Sequence, residues 1–256
     1  MPWIRVAAIL TALLSCTAAL AGEAEFMDRG RRYEAQTLYG PAIAEYERAL
    51  EENPNNAEAH YRIGAISATL GNNEGAAREY RKALAVDPGH AEARSALASY
   101  HLDRGIVLRD RGQLPQAEAQ LQEAVRIDPG SAAAHFELGR LHEEAGRHEE
   151  ALEAYRRAAA ADPQSVRANV RLGLAYNRTG RYTEAVEAFE AALHARQDDP
   201  EAYAGLAVAH AKQGRREEAR AAFDKAIRLH LIAGRRDLAV KVNEEAKSLL
   251  PPQEAR

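Results

Sequence analysis

The chain has 256 residues, of which 46% are hydrophobic and 28% charged, a composition typical of an ordered protein with a buried core. Its 34 Lys and Arg residues against 38 Asp and Glu give a net charge of −4, which argues against a nucleic-acid-binding surface. A single cysteine excludes an internal disulfide framework and a Cys-based metal site, while abundant Ala, Glu, Arg and Leu predict an all-α protein.

The first 21 residues differ from the rest. They contain no acidic residue and one basic residue, Arg5, followed by an apolar run over 6–14 and then by small residues. This order is typical of a secretory signal peptide, so we expect export to the periplasm or the outer membrane of a bacterium. The run is shorter than the roughly 20 apolar residues of a membrane-spanning helix, although an uncleaved anchor through Ala21 is an alternative.

Two processing routes compete within this segment. Ala19-Leu20-Ala21 fits signal peptidase cleavage, which makes 1–21 the signal peptide. Leu13-Leu14-Ser15-Cys16 resembles a bacterial lipobox, which ends the signal at residue 15 and makes Cys16 the lipidated first residue. Lipidation would attach the protein to a membrane through its N-terminus, and Cys16 as a mere apolar filler of the signal is a third interpretation.

From Glu23 onward the sequence repeats itself. Pairs of alanines seven residues apart recur with a bulky residue between them, and the spacings of the first alanine are 34, 41, 34, 34 and 34 residues. The first alanines are Ala42, Ala76, Ala117, Ala151, Ala185 and Ala219. Earlier in each copy stands a small residue: Gly30, Gly64, Gly105, Gly139, Gly173 or Ala207. Small residues allow two helices to cross closely, so each copy predicts a helix–turn–helix.

Turn signals divide each copy into its two helices. Glycine stands midway in five copies, where it ends the first helix in a left-handed conformation: Gly71, Gly112, Gly146, Gly180 and Gly214. Asp-Pro or Asn-Pro ends the second helix in the first four copies, because proline cannot continue the helical hydrogen bonds. The last two copies have Gln197 and Leu231 in place of this proline.

These residues resemble the tetratricopeptide repeat (TPR) family. The fourth copy meets the family pattern with Leu138-Gly139, Ala151, Tyr155 and Pro163, whereas the usual Trp is replaced throughout. Its place is taken by Phe26, His60, His101, His135, Asn169 and Tyr203. The resemblance implies a TPR solenoid, a right-handed superhelix of antiparallel helix pairs, with six repeats in 22–233. They cover 23–56, 57–90, 91–131, 132–165, 166–199 and 200–233.

The regions around the repeats lead to three further expectations. Apolar residues at helical spacing over 234–250 predict a helix that caps the last repeat, followed by a disordered tail over 251–256. The third copy is seven residues longer than the others, which adds close to two full turns to its first helix. We expect these turns to project as an overhang near Tyr100 to Asp110, either as a neutral insertion or as a partner-specific contact.

The repeats contain no motif of an active site. No phosphate-binding glycine loop, nucleophile elbow or zinc-protease motif is present, so we expect a protein that is not an enzyme and has no cofactor or metal. His60, His101 and His135 occupy a repeat-packing position and are predicted to be structural. Function is then expected to lie in binding another protein.

The TPR resemblance implies that the first helices of the repeats line a concave groove. Transferring its groove positions predicts a row of apolar residues with flanking arginines: Met27, Arg31, Tyr61, Leu102, Ile106, Phe136, Arg140, Val170, Leu174 and Val208. Such a row predicts a bound helix or extended peptide, anchored by Tyr61 and Phe136. The alternative is that these residues pack between neighbouring repeats.

We therefore expect a non-catalytic adaptor of the bacterial cell envelope that binds a partner peptide or helix in this groove. Six repeats behind a lipobox also resemble the architecture of pilotin lipoproteins, which assist the assembly of outer-membrane secretins. A periplasmic chaperone or accessory subunit of a secretion or glycan-processing complex is a further alternative. No nucleic-acid partner is expected.

Overall fold

The computed structural model describes residues 22–251, which form thirteen α-helices and no β-strand. The predicted all-α fold class is therefore confirmed. The helices are α1 (22–35), α2 (Tyr39–Glu52), α3 (Ala57–Thr69), α4 (Asn73–Val86), α5 (Ala91–Asp110), α6 (Leu114–Ile127), α7 (Ala132–Glu144), α8 (His148–Ala161), α9 (Val166–Arg178), α10 (Tyr182–Ala195), α11 (Pro200–Lys212), α12 (Arg216–Ile232) and α13 (Arg236–Leu249). None of these helices is long and apolar enough to cross a membrane.

The chain divides into two compact units, and the division falls inside α5. The first unit ends at Asp103 and the second begins at Arg104. In the first unit, α1 to α3 enclose a core of buried apolar residues: Met27, Ala42, Tyr46, Ala49, Ala59, Ile63 and Ile66. In the second, α7 to α11 enclose a larger core that includes Phe136, Tyr155, Val170, Tyr176, Val186, Phe189 and Leu206.

The predicted close crossing of paired helices is present in five copies. A Cβ atom added at Gly64 would lie 2.7 Å from the Tyr80 ring, and one added at Gly139 would lie 2.5 Å from the Tyr155 ring. The same crowding occurs at Gly30, Gly105 and Gly173, whose neighbours are Tyr46, Leu121 and Phe189. Atoms that are not bonded do not approach so closely, so each glycine is required by the bulky residue of the second helix.

The first helix of each pair ends in the predicted left-handed turn. Five glycines adopt positive φ angles there: Gly71, Gly112, Gly146, Gly180 and Gly214. The first copy has no such glycine, and Thr37 takes the turn with φ of 59°. A side chain in this conformation is strained, so the first turn differs energetically from the other five.

The second helices end where the prolines predict, with one informative exception. Helices α2, α4, α6 and α8 end at the residue before Asn53, Asp87, Asp128 and Asp162. Of the two second helices without a terminal proline, α10 still has 14 residues, like those four, whereas α12 extends to 17. Its last residue, Ile232, is 83% exposed, and Gly234 then provides another left-handed turn.

The longest helix, α5, contains the repeat pattern twice. Ala93, Leu97 and Ala98 are buried and occupy the third, seventh and eighth positions of the copy that starts at residue 91. Seven residues after Ala98, Gly105 provides the small residue that faces Leu121 of α6. The predicted overhang near Tyr100 to Asp110 is therefore wrong, because this part of α5 includes buried His101 and Arg109 and forms the repeat itself.

The predicted C-terminal capping helix is α13. It packs against α12, and Val242 is buried in a cluster with Phe223 and Ala226. The predicted signal peptide over 1–21 lies outside the described residues, as does the predicted tail apart from Pro251.

Candidate functional site

A cleft of about 220 Å³ opens in the second unit between the first helices of three successive repeats. It lies between α7, α9 and the start of α11. We call it the arginine cleft, and its lining residues are Phe136, Arg140, Val166, Arg167, Val170, Arg171, Arg196, Asp199 and Glu201.

The apolar side of the arginine cleft is already covered by the protein itself. The Phe136 ring packs against Tyr155 of α8 at a centroid distance of 5.7 Å, and the guanidinium of Arg167 lies 4.6 Å above its centre. This cation–π contact leaves Phe136 only 8% exposed. Val170 is buried as well, so little apolar surface faces the cleft.

The four arginines of the cleft are neutralised to different degrees. Arg196 forms an ion pair with Asp199, and Arg140 lies 3.3 Å from a carboxylate oxygen of Glu137. The contact between Arg171 and Glu201 is longer, at 3.9 Å. Within residues 22–251, Arg167 has no carboxylate partner, and its guanidinium lies over the Phe136 ring.

The backbone around the cleft is held by local polar contacts. Ser165 caps α9 by accepting a hydrogen bond from the backbone N–H of Ala168, and Asp199 caps α11 through the N–H of Ala202. These caps fix the starts of the two helices that present Arg167 and Glu201. The cleft is therefore a preformed feature of the repeat packing.

A buried ion pair lies behind the cleft. Glu137 accepts hydrogen bonds from Arg109 of α5 and from Arg140 of α7, so one carboxylate is shared by two arginines. Burial by itself lowers the pKa of Arg109. Its hydrogen bond with Asp110 and its contact with Glu137 outweigh this effect, so the pKa lies above its usual value. Arg109 thus remains a cation, and it ties α5 to α7.

The lining of the arginine cleft is positively charged in a chain whose net charge is −4. Of its four arginines, Arg140, Arg171 and Arg196 each have a carboxylate within 4 Å, so Arg167 is the one lining cation without a carboxylate partner among the described residues. No group of three or more His, Cys, Asp or Glu residues suited to a metal ion occurs in the described chain. The chemistry that this cleft supports is the binding of anionic groups by arginine.

Comparison with protein families decides what the repeats are. The model of the tetratricopeptide repeat matches residues 27–91, 68–107, 102–166 and 170–231, which together exceed half of the chain. The protein belongs to the tetratricopeptide repeat family. No curated protein was found to match the chain.

Three solved structures are similar to this chain to different degrees. YrrB, described as a TPR protein with an unusual peptide-binding site, is 21% identical with a TM-score of 0.55, over 78% of this chain and 97% of that one. MamA is 28% identical with a TM-score of 0.47, over 69% of this chain and 93% of that one. PilF of Pseudomonas aeruginosa is 25% identical with a TM-score of 0.44, over 77% of this chain and 93% of that one. The likeness to YrrB supports the TPR fold.

The structure brings three of the predicted groove residues together. Phe136, Arg140 and Val170 all line the arginine cleft, although Phe136 and Val170 are buried. The expectation that Phe136 offers an exposed apolar anchor is therefore corrected, because Arg167 and Tyr155 already occupy its faces. The role of this TPR surface in binding stays a prediction.

The predicted groove residues of the first unit do not form one apolar surface. Met27 is buried in the core, and Arg31 is exposed beside Asp28 at 3.2 Å. The half-buried Tyr61 ring packs against His90 at a centroid distance of 5.1 Å. Leu102 is half-buried near the end of this unit. Met27 therefore packs inside the protein, as the alternative to a groove position expects.

The remaining predicted groove residues lie in the second unit outside the cleft. Ile106, Leu174 and Val208 are half-buried, and they do not line the cleft. Leu174 packs at the edge of the larger core and Val208 at the edge of the C-terminal cluster. They fit the alternative of packing between neighbouring repeats as well as they fit a groove.

Sequence reasoning missed most of the charge in the arginine cleft. Arg167 and Arg171 are four residues apart, so they lie on one face of α9, one turn apart. This spacing in the first helix of a repeat could have indicated a basic surface from the sequence alone. Arg196 and Asp199 lie at the end of the same repeat, after α10, and Glu201 lies at the start of the next, so only the packing of the helices brings them to α9.

The histidines take structural places in the repeats. His135 contacts the backbone oxygen of Pro129 through Nε2 at 3.0 Å, and His60 contacts Glu79 through Nδ1 at 2.8 Å. Asn169 replaces the histidine in the fifth TPR copy and donates to Pro163 in the same way, at 2.9 Å. The structural interpretation of these positions therefore agrees with the observed contacts.

Proposed function

We propose that this TPR protein is a non-catalytic scaffold that binds a partner protein at the arginine cleft, and that it works in the bacterial cell envelope. The single observation that carries the binding role is the cleft itself. Three successive first helices form it, and it retains a cation, Arg167, that no carboxylate of the described chain neutralises. Surface arginines around a concave site are common in protein interfaces.

The side chains that line the cleft support binding rather than catalysis. General acid–base catalysis at neutral pH needs a group whose pKa lies near 7, such as a histidine or a perturbed carboxylate. The polar lining consists of arginines and of two carboxylates that contact arginines. This composition supports a scaffold.

The envelope part of the proposal rests on residues 1–21. Their lack of acidic residues, their apolar run and their small C-terminal residues favour export. A lipoprotein assembly factor of the pilotin type is the sharper version, which requires lipidation of Cys16. The other version is a soluble periplasmic chaperone or accessory subunit of a secretion or glycan-processing complex.

Site-specific photo-crosslinking in living cells tests the binding role. A photoreactive amino acid at Glu201, which lines the cleft and leaves all four arginines in place, is compared with one at Arg157, which is exposed on α8 outside it. We expect a defined crosslinked protein from position 201 that is absent from position 157. Equal patterns at both positions, or no product at position 201, would contradict binding at this cleft.

Fractionation of the full-length protein tests the envelope role. We expect the protein in the periplasmic or membrane fraction and a mature N-terminus at Gly22 or Cys16, measured by mass spectrometry. The variant Cys16→Ser should release a lipoprotein from the membrane fraction, whereas a soluble periplasmic protein would fractionate unchanged. An unprocessed protein in the cytosolic fraction would overturn the proposal of export.

A further inference from the structure

We propose that the arginine cleft recognises an extended, acidic segment of a partner protein, with two carboxylates placed on alternate residues. This inference deepens the proposed function and rests on it, because it names the chemistry of the partner at the same site. The cleft, with four arginines and two carboxylates, is complementary to negative charge.

The arginines differ in how readily they can accept a partner carboxylate. Arg167 holds its guanidinium over an aromatic ring and has no competing carboxylate within the described residues. Arg171 is 40% exposed, and its contact with Glu201 is near the limit of an ion pair at 3.9 Å. These two are therefore the cations that an incoming carboxylate meets first, and the hydrogen bonds would be charge-assisted.

The spacing of Arg167 and Arg171 determines the form of the ligand. Side chains four residues apart on a helix lie about 5–6 Å apart at Cβ. In an extended chain, alternate residues share one face and lie about 6.6 Å apart. Carboxylates on residues i and i+2 of an extended segment thus match the two arginines.

The size of the cleft also favours an extended segment over a helix. A helix with its side chains is about 10–12 Å across. The cleft, at about 220 Å³, accommodates a few side chains of an extended chain. Since Phe136 and Val170 are buried, only half-buried Val166 offers apolar contact, so charge rather than burial provides most of the binding energy.

The first unit supplies the design of a mild test variant. In α3, Glu58 and Arg62 occupy the second and sixth positions of their repeat and contact each other at 2.6 Å. Arg167 and Arg171 occupy the same two positions of the repeat 166–199. Arg167→Glu therefore places a carboxylate four residues before Arg171, an arrangement that the fold already contains, and removes the charge excess of the cleft.

Binding of a labelled peptide measures the inference. The probe is a short fluorescent peptide of alternating Glu and Ala, and the control peptide has Gln in place of Glu. We expect the full-length protein to bind the Glu peptide, and Arg167→Glu to weaken binding at least about tenfold. Raising salt from about 0.05 to about 0.5 M should also weaken it, because ions screen exposed charges.

The matched control is Arg157→Glu on α8, which changes the net charge equally. Arg157 is 59% exposed and contacts Glu153, which keeps its second contact with Arg156. This variant should bind the Glu peptide within about twofold of the unchanged protein. Circular dichroism confirms that both variants remain helical.

Several outcomes would overturn the inference. One is that the Glu peptide does not bind, or that the Gln peptide binds equally well. Another is that Arg157→Glu weakens binding of the Glu peptide as much as Arg167→Glu does. An oligothymidylate of equal charge that binds more tightly than the Glu peptide would indicate a nucleic-acid ligand instead. The crosslinking experiment separates this failure from failure of the scaffold. If crosslinking at position 201 captures a partner while the Glu peptide does not bind, the acidic ligand is wrong and the scaffold stands.

Discussion

Helices α3 and α9 begin their repeats in the same way but carry different charge. In α3, Arg62 contacts Glu58 at 2.6 Å and Glu34 at 3.4 Å, so its charge is neutralised within the first unit. Burial by itself lowers the pKa of Arg62, but these carboxylates outweigh the effect of burial, so the pKa lies above its usual value. In α9, Arg167 faces an aromatic ring and Arg171 lies 3.9 Å from its nearest carboxylate partner.

This difference shows which part of a repeat is free to vary. Gly64 and Gly173 hold the same crowded position against an aromatic ring in the two repeats, because the helix crossing depends on them. The second and sixth positions face away from that crossing. They can change from a self-neutralised pair to two cations without altering the packing, and binding specificity can arise there.

The largest effect should come from breaking the packing that the two repeats share. A Cβ atom at Gly64 or Gly173 would lie 2.7 Å from the ring of Tyr80 or Phe189. We expect Gly64→Val and Gly173→Val each to lower the free energy of unfolding by about 1–3 kcal/mol, measured by urea denaturation. Gly40→Ala is the control, since no atom lies within 4 Å of that position. Unchanged stability in either Val variant would refute the close crossing.

The next largest effect should be a loss of stability of the second unit at low pH. Burial lowers the pKa of His142, His210 and His230 in the second unit, and their Nδ1 atoms have no hydrogen-bond partner. The unfolded chain binds protons with a pKa of about 6.5, so it takes up more protons than the folded unit below that pH. We therefore expect α7 to α12 to lose stability as the pH falls from about 7.5 to about 5.5, measured by hydrogen exchange.

Replacement of these histidines tests the cause of the pH dependence. The combined variant His142→Gln, His210→Gln and His230→Gln should show a flatter dependence, whereas His194→Gln, at an exposed position, should not. An equally steep loss of stability in the combined variant would show that other groups are responsible.

The strained first turn gives a smaller effect. Thr37 adopts φ of 59°, where the other first-helix turns use glycine. Thr37→Gly should raise the free energy of unfolding by about 1 kcal/mol, because the steric cost of a left-handed side chain is removed. Thr69→Gly, at a helical position in α3, should instead lower it by a similar amount. A loss of stability in Thr37→Gly would contradict the strain.

The smallest effect concerns the charges themselves. Glu58 contacts both Arg62 and His90, so Glu58→Arg should cost about 0.5–1 kcal/mol of stability. Arg167→Glu should lower stability by about 0.5 kcal/mol, because it loses the cation–π contact with Phe136 but breaks no ion pair of the described chain. Thermal unfolding of the two variants measures both values. If Arg167→Glu proved the more destabilising, the contact between Arg167 and Phe136 would be structural in the first place.

The helix pairs were predictable because their causes are local and periodic. Gly139 and Tyr155 meet because a small and a bulky residue recur at constant spacing, and Gly146 ends α7 because few other residues adopt its φ angle. The register of α5 was harder to predict. Its seven additional residues preserve the apolar face, so the pattern alone did not show which end of the helix pairs with α6.

The candidate site was predictable only in part. Transfer of family positions named Phe136 and Arg140 but not Arg167, whose side chain covers the Phe136 ring. Whether an aromatic at such a position faces a partner or its own chain depends on a neighbouring repeat, 31 residues later in the sequence. The sum of charges around a cleft likewise depends on residues that only the tertiary structure brings together.

The double pattern in α5 constrains how this chain can change length in evolution. Ala98 and Gly105 are seven residues apart and so lie within about 20° of one another around the helix axis. Deleting one residue between them would rotate all following side chains by about 100°, turning Gly105 away from Leu121. Viable length variants at this place should therefore differ by whole groups of seven residues, and shorter relatives should lack the pair of turns entirely.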